Sequence, residues 1–142
     1  MQTSARNQFS GKVTSVKQGA VNDEIEIEIA GGRHLVATVT RESTDALGLA
    51  PGKAAVALIK SSSVILAASD DSVRFSARNQ LKGVVASVVV GAVNNEVVLD
   101  LGGGVSLVAI VTSESSQTLG LAAGKTITAL FKASSVIVGV KA

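Results

Sequence analysis

The sequence predicts a mostly β chain folded as two tandem OB-like five-stranded β-barrels, each with one short helix. Three observations carry this. The 142 residues repeat at a constant offset of 72, with 36 identities when residues 4–70 are aligned with 76–142, and no gap is needed. Apolar and polar residues alternate strictly over Glu24-Ile-Glu-Ile-Glu-Ile29, the pattern of a half-buried strand. Turn residues then divide each unit into five strand-length segments and one helix-length segment.

Within the first unit, Phe9 to Val16 mixes β-branched and polar residues and reads as the first strand. Glu24 to Ile29 is the second. Gly31-Gly32 turns the chain into Leu35-Val-Ala-Thr-Val39, its hairpin partner. The period then changes: Thr40 is an N-cap residue, Leu47-Gly48 a helix end, and about two turns fit between them. Pro51-Gly52 leads into Ala54 to Ile59, and Ser63 to Ala67 is expected to close the unit. The boundaries expected are a first domain at 1–68, a short polar linker at 69–75 and a second domain at 76–142. The second unit keeps the layout, but Lys17-Gln18 become Val89-Val90. Val84 to Val90 is too apolar for a strand with one wet face. It is expected to be covered by the other repeat or by another chain, so oligomerisation is expected too.

Composition narrows the chemistry. Without Tyr or Trp and with three Phe, the core is aliphatic. The absence of Cys removes disulfides, thiolate ligands and Cys nucleophiles. One His and one Met leave no direct ligand set for a metal cation. His34 is replaced by Ser106 in the second unit and reads as a surface residue, so no Ser-His-Asp triad is supported. Gly102-Gly-Gly104 is a hairpin turn, not a dinucleotide fingerprint, and there is no Walker lysine loop. The expectation is a binding protein without an organic cofactor, not an enzyme. No segment has the length and apolarity of a signal peptide or membrane span, so the expected place is the cytoplasm, without membrane contact. A net charge of +2 and few aromatic residues argue against nucleic acid, which OB barrels bind through aromatic platforms in basic grooves.

Three segments repeat closely without being obvious core: Ser-Ala-Arg-Asn-Gln (4–8 and 76–80), Thr-x-Glu-Ser (40–43 and 112–115) and Lys-x-Ser-Ser-Val (60–64 and 132–136). They are rich in hydroxyl, amide and cationic donors, a set suited to an anion. Each also has an ordinary structural role: Ser4 in a turn, Ser43 in a first helical turn, Lys60 at a solvated strand end. Recent duplication preserves neutral residues as well. Gly19-Ala-Val-Asn22 and Gly91-Ala-Val-Asn94 are natural hairpin turns.

Taken with Leu-Gly-Leu-x-x-Gly-Lys (47–53 and 119–125), these motifs closely resemble the Mop domain of molbindins, small cytoplasmic proteins that bind molybdate and tungstate. The resemblance covers the chain twice, as in a tandem "di-Mop" member. Similar domains occur in molybdate-responsive regulators and importer ATPases. The resemblance implies storage of molybdate or tungstate between Mop units of a six-unit oligomer, here a homotrimer. It implies a first site group of Ser4, Ala5, Arg6 (through its backbone N–H), Ser43, Lys60, Ser61 and Ser62. The second is Ser76, Ala77, Arg78, Ser115, Lys132, Ala133 and Ser134. Ala133 replaces Ser61 and offers only its backbone, so the two groups differ. A second class of oxyanion site is implied at Ala20, Val21 and Asn22 and at Ala92, Val93 and Asn94. An oxyanion-sensing or protein-interaction module is the alternative function, and an OB-type nucleic-acid binder a more distant one.

Overall fold

The computed structural model describes residues 2–141. Ten strands and two helices follow one another as β1 (Asn7–Gln18), β2 (Asn22–Ile29), β3 (His34–Thr40), α1 (Arg41–Leu47), β4 (Ala54–Ile59) and β5 (Ile65–Ala68), then β6 (Asn79–Val89), β7 (Asn94–Gly102), β8 (Val105–Thr112), α2 (Ser113–Thr118), β9 (Thr126–Phe131) and β10 (Val136–Gly139). Single 3-10 turns at Ser61–Ser63 and Ala133–Ser135 precede β5 and β10.

Local sequence explains each element. On β2 the isoleucines at 25, 27 and 29 are buried while the carboxylates between them stay toward solvent. Thr40 caps α1, its hydroxyl accepting from the Ser43 N–H at 3.1 Å, and Thr112 does the same for Ser115. Gly48 ends α1 at φ 63°, a conformation that a side chain disfavours. The long strand β1 bends at a bulge between Val13 and Ser15, repeated on β6 between Val85 and Ser87. Just before the bend, a Cβ on Gly11 would lie 2.2 Å from the Glu28 carbonyl oxygen, so the close strand approach requires glycine.

The sheets do not follow the repeat boundaries. One has the order β10-β4-β1-β2-β3 and the other β5-β9-β6-β7-β8. Each unit therefore gives its last strand to the other: Ile137 of β10 pairs with Leu58 of β4, and Ile65 of β5 pairs with Leu130 of β9. The expectation that 63–67 closes its own unit is corrected. The 3-10 turn after Lys60 carries the chain across the boundary, packing against β8, and its counterpart after Lys132 packs against β3. The exchanged strands draw the open sides of each sheet together, because β10 also packs on β3 and β5 on β8. Buried side chains from both units, including Ile27, Leu35, Ile59, Leu99, Leu107 and Phe131, form one continuous core.

Val84 to Val90 is not covered by the other repeat, contrary to the first of the two covers expected for it. Leu81 and Val85 point inward, but Val89 and Val90 are 61% and 75% exposed. Beyond the bulge the strand runs past the end of the core.

Candidate functional site

Antiparallel pairing of β1 with β4 erases the distance in sequence between two of the donor segments. Asn7 sits opposite Ile59, so the residues just before β1 meet those just after β4. The result is a cleft of about 410 Å³ lined by Thr3, Ser4, Ala5, Arg6, Lys60, Ser61 and Ser62, with Leu58, Ile110 and Ile137 as its apolar wall. Ile110 and Ile137 come from the second unit, Ile137 through the exchanged strand. The Ser61–Ser63 turn is held by the Ser63 N–H donating to the Lys60 carbonyl at 2.9 Å.

Hydrogen bonding decides which donors remain for a ligand. The Arg6 guanidinium is occupied by Glu96 of the second unit at 2.5 Å. The Ala5 N–H donates to Thr3 Oγ1 at 3.1 Å, and the Gln8 amide fixes the same segment by donating to the Ala5 carbonyl at 2.8 Å. Lys60 is exposed and makes no ion pair among the described residues. An ammonium group and serine hydroxyls thus line a largely apolar cleft, an arrangement that can accept a small anion.

The second group repeats the placement. Asn79 pairs with Phe131, which sets Arg78 beside Lys132. The Arg78 guanidinium grips Glu24 of the first unit with bonds of 2.6 and 2.8 Å. Gln80 donates to the Ala77 carbonyl at 3.0 Å, Ser76 and Ser134 are exposed, and Ala133 is buried.

Ser43 and Ser115 are not brought into these clefts. Ser43 is held by the Thr40 hydroxyl at 2.9 Å, and Ser115 lines a separate groove against Ile65 and Leu66 of the exchanged β5. Ala20, Val21 and Asn22, like Ala92, Val93 and Asn94, lie exposed at the β1–β2 and β6–β7 hairpins. Beside the first hairpin is Asp23, which is 1% exposed and whose Oδ2 has no hydrogen-bond partner among the described residues. Its Oδ1 lies 3.6 Å from Arg41 Nε.

His34 is exposed, with Glu26 at 2.8 Å and Glu28 at 3.3 Å on its two ring nitrogens. The residues missed in sequence are Asn7 and Asn79, which clamp the two units together. Their identity at the same repeat position was the available signal, but duplication alone accounted for it equally well.

Residues 3–66 and 76–138 each match the TOBE domain. The chain is 50% identical over 137 residues to the molybdenum-pterin-binding protein MopA of Rhodobacter capsulatus, a match spanning 96% of this chain and 52% of MopA. It is 46% identical over 140 residues to the molybdenum transport protein ModE of Azotobacter vinelandii, spanning 99% of this chain and 52% of ModE. The chain thus spans about half the length of these relatives. A crystal structure of the cytoplasmic molybdate-binding protein ModG, with molybdate bound, superposes with a TM-score of 0.96 at 47% identity, covering 99% of this chain and 100% of ModG. Two domain matches in tandem and a like fold over the full length of ModG lead to one conclusion: the chain belongs to the TOBE-domain family as a tandem, di-Mop member.

Proposed function

We propose that this protein binds and stores molybdate, with tungstate as the closely related alternative, without catalysing a reaction. The observation that carries the reading is the cleft where Ser4, Lys60, Ser61 and Ser62 converge, in a fold shared over its full length with a molybdate-bound relative. A net charge of +2 gives little general attraction for a dianion, so affinity comes from local donors. Each charge-assisted hydrogen bond contributes about 1.5–3 kcal/mol. The Arg6 and Arg78 side chains are engaged by Glu96 and Glu24, which leaves their backbone N–H groups as the contribution of those residues. The repeat-related group, Ser76, Ala77, Arg78, Lys132, Ala133 and Ser134, is proposed as the second site, its two segments being brought together by the pairing of Asn79 with Phe131.

Ser43 and Ser115 complete the sites from neighbouring copies, in a homotrimer that brings six Mop units together. That assembly also covers Val89, whose exposure in one chain is otherwise an aggregation hazard. The protein works in the cytoplasm, and no helix among the described residues is long and apolar enough to cross a membrane. Nucleic acid is not a ligand. A sensing role is the second reading, favoured by a 34% identity to the DNA-binding transcriptional dual regulator ModE of Escherichia coli, 52% of whose length this chain spans.

Native mass spectrometry with added molybdate and then excess sulfate tests the proposal. The expected species is a trimer carrying several molybdates that sulfate does not displace. A protein that takes up no molybdate, or releases it to sulfate, overturns the storage reading.

A further inference from the structure

The two units differ most at their hairpin ends. Lys17, Asp23, Arg41 and Asp45 of the first unit are replaced by Val89, Asn95, Ser113 and Gln117 at the same repeat positions. Four charges are removed from one small region. In the first unit the Arg41 guanidinium bonds the Gly19 carbonyl and faces Asp23, filling the space beside the hairpin. In the second unit that space is a cavity of about 490 Å³. Its walls include Val88, Val90 and Leu121, and its polar lining is Asn95, Ser113, Ser116 and Gln117.

Two of these polar side chains are buried yet retain hydrogen-bonding capacity. Asn95 is 4% exposed, and its Oδ1 accepts from the Gly91 N–H at 3.2 Å and from the Ser113 hydroxyl at 2.9 Å. A backbone N–H can only donate, so the amide cannot be reversed and Nδ2 must face away from Gly91. Nδ2 has no hydrogen-bond partner among the described residues, nor is it sealed from the cavity. Ser116, also 4% exposed, makes no side-chain hydrogen bond among the described residues, whereas Thr44 at the equivalent position donates to the Thr40 carbonyl at 3.3 Å.

We infer that this cavity is a second ligand site, found only in the second unit, for a small uncharged molecule with a carbonyl group on an apolar body. Asn95 Nδ2 and the Ser116 hydroxyl supply the donors for the carbonyl, and the valine and leucine walls take the apolar part. Among the described residues no charged side chain lines the cavity, so nothing in it pairs with the charge of an ion. This separates it from the lysine clefts, and its ligand does not compete with an oxyanion.

Nicotinamide, a flat ring bearing a carboxamide, is a suitable probe. Titrated into the full ¹⁵N-labelled chain, it is expected to give saturable shifts at the Asn95 side-chain NH₂ and in residues 113–123. The equivalent residues 41–51 should not move. Asn95→Asp with Ser113→Arg installs the first unit's pair and is expected to abolish the shifts. Ala122→Phe, on the exposed rim, is expected to block the cavity without touching the core. The converse exchange, Asp23→Asn with Arg41→Ser, is expected to bring shifts to 41–51. The inference is overturned if nicotinamide gives no saturable shift at Asn95, or if the shifts survive in folded Ala122→Phe protein.

Discussion

The side-chain amide of Asn7 pairs with both backbone groups of Val108 in the other unit, donating to the carbonyl at 2.8 Å and accepting from the N–H at 2.8 Å. Asn79 makes the reciprocal pair with Val36, also at 2.8 Å in each direction. Val36 and Val108 lie on β3 and β8, which pair only with β2 and β7, so one edge of each is open. A single planar amide satisfies the donor and the acceptor that the edge leaves free. Asn7 is 1% exposed, so its polar group has no alternative partner in water. Asn7→Ala is expected to remove both bonds and strand both Val108 groups, a loss of about 2–4 kcal/mol. Urea unfolding followed by circular dichroism measures this. An unchanged midpoint would show that the clamp contributes nothing.

The exchanged strands make the covalent connection between the units dispensable for their association. Each sheet contains a strand from the other unit, and the core is continuous across both. Residues 69–75 carry mostly exposed side chains, so a protease site can be inserted there. After cleavage, the two fragments are expected to co-elute in size-exclusion chromatography under native conditions and to separate only in denaturant. Elution as two small independent barrels would contradict the exchange.

Much of this architecture was legible in the sequence, because local rules govern it. The isoleucine alternation on β2, the Thr40 cap and the Gly48 stop each depend on neighbours within a few residues. The last strand was not legible for a physical reason. Ile65-Leu66 and Ile137-Val138 have nearly the same pattern, so either can satisfy either sheet edge, and only the direction taken after Ser61–Ser63 and Ala133–Ser135 decides. The site divides in the same way. Register on β1 and β4 brings Ser4, Arg6 and Lys60 together, but the occupation of the Arg6 and Arg78 side chains depends on Glu96 and Glu24, in opposite units. The neutral cavity at Asn95 required burial and bond partners, which no spacing encodes.

The linker carries a local acid-sensitive turn. The Ser72 hydroxyl and its N–H, the latter at 2.8 Å, both donate to Asp70 Oδ1 and hold the carboxyl below its ordinary value. A lowered value in the folded chain means that the turn is stabilised above the ordinary carboxylate range. That contribution is lost as pH falls through the folded value. The Ser72 amide resonance is therefore expected to be constant near neutrality and to shift only below the normal Asp range. In Ser72→Ala the Asp70 titration should move upward, since the larger of the two donors has gone. A titration unaffected by the substitution would assign the lowering to another cause.

Lys60 and Lys132 provide the sharpest separation between binding and folding. Both are exposed, follow the last residue of β4 or β9, and make no ion pair among the described residues. Their removal breaks no contact on which the barrels depend, so unfolding free energy should change by no more than about 0.5 kcal/mol. An oxyanion in the cleft would lose a charge-assisted donor worth about 1.5–3 kcal/mol, which corresponds to roughly tenfold weaker binding or more. Lys60→Ala with Lys132→Ala, studied by calorimetric titration with molybdate, is expected to retain the wild-type melting behaviour while losing affinity at the cleft sites. Lys60→Arg keeps the charge but replaces a compact ammonium with a planar fork, and should bind at an intermediate level. If the double alanine variant binds with unchanged stoichiometry and affinity, the anion lies elsewhere in the molecule.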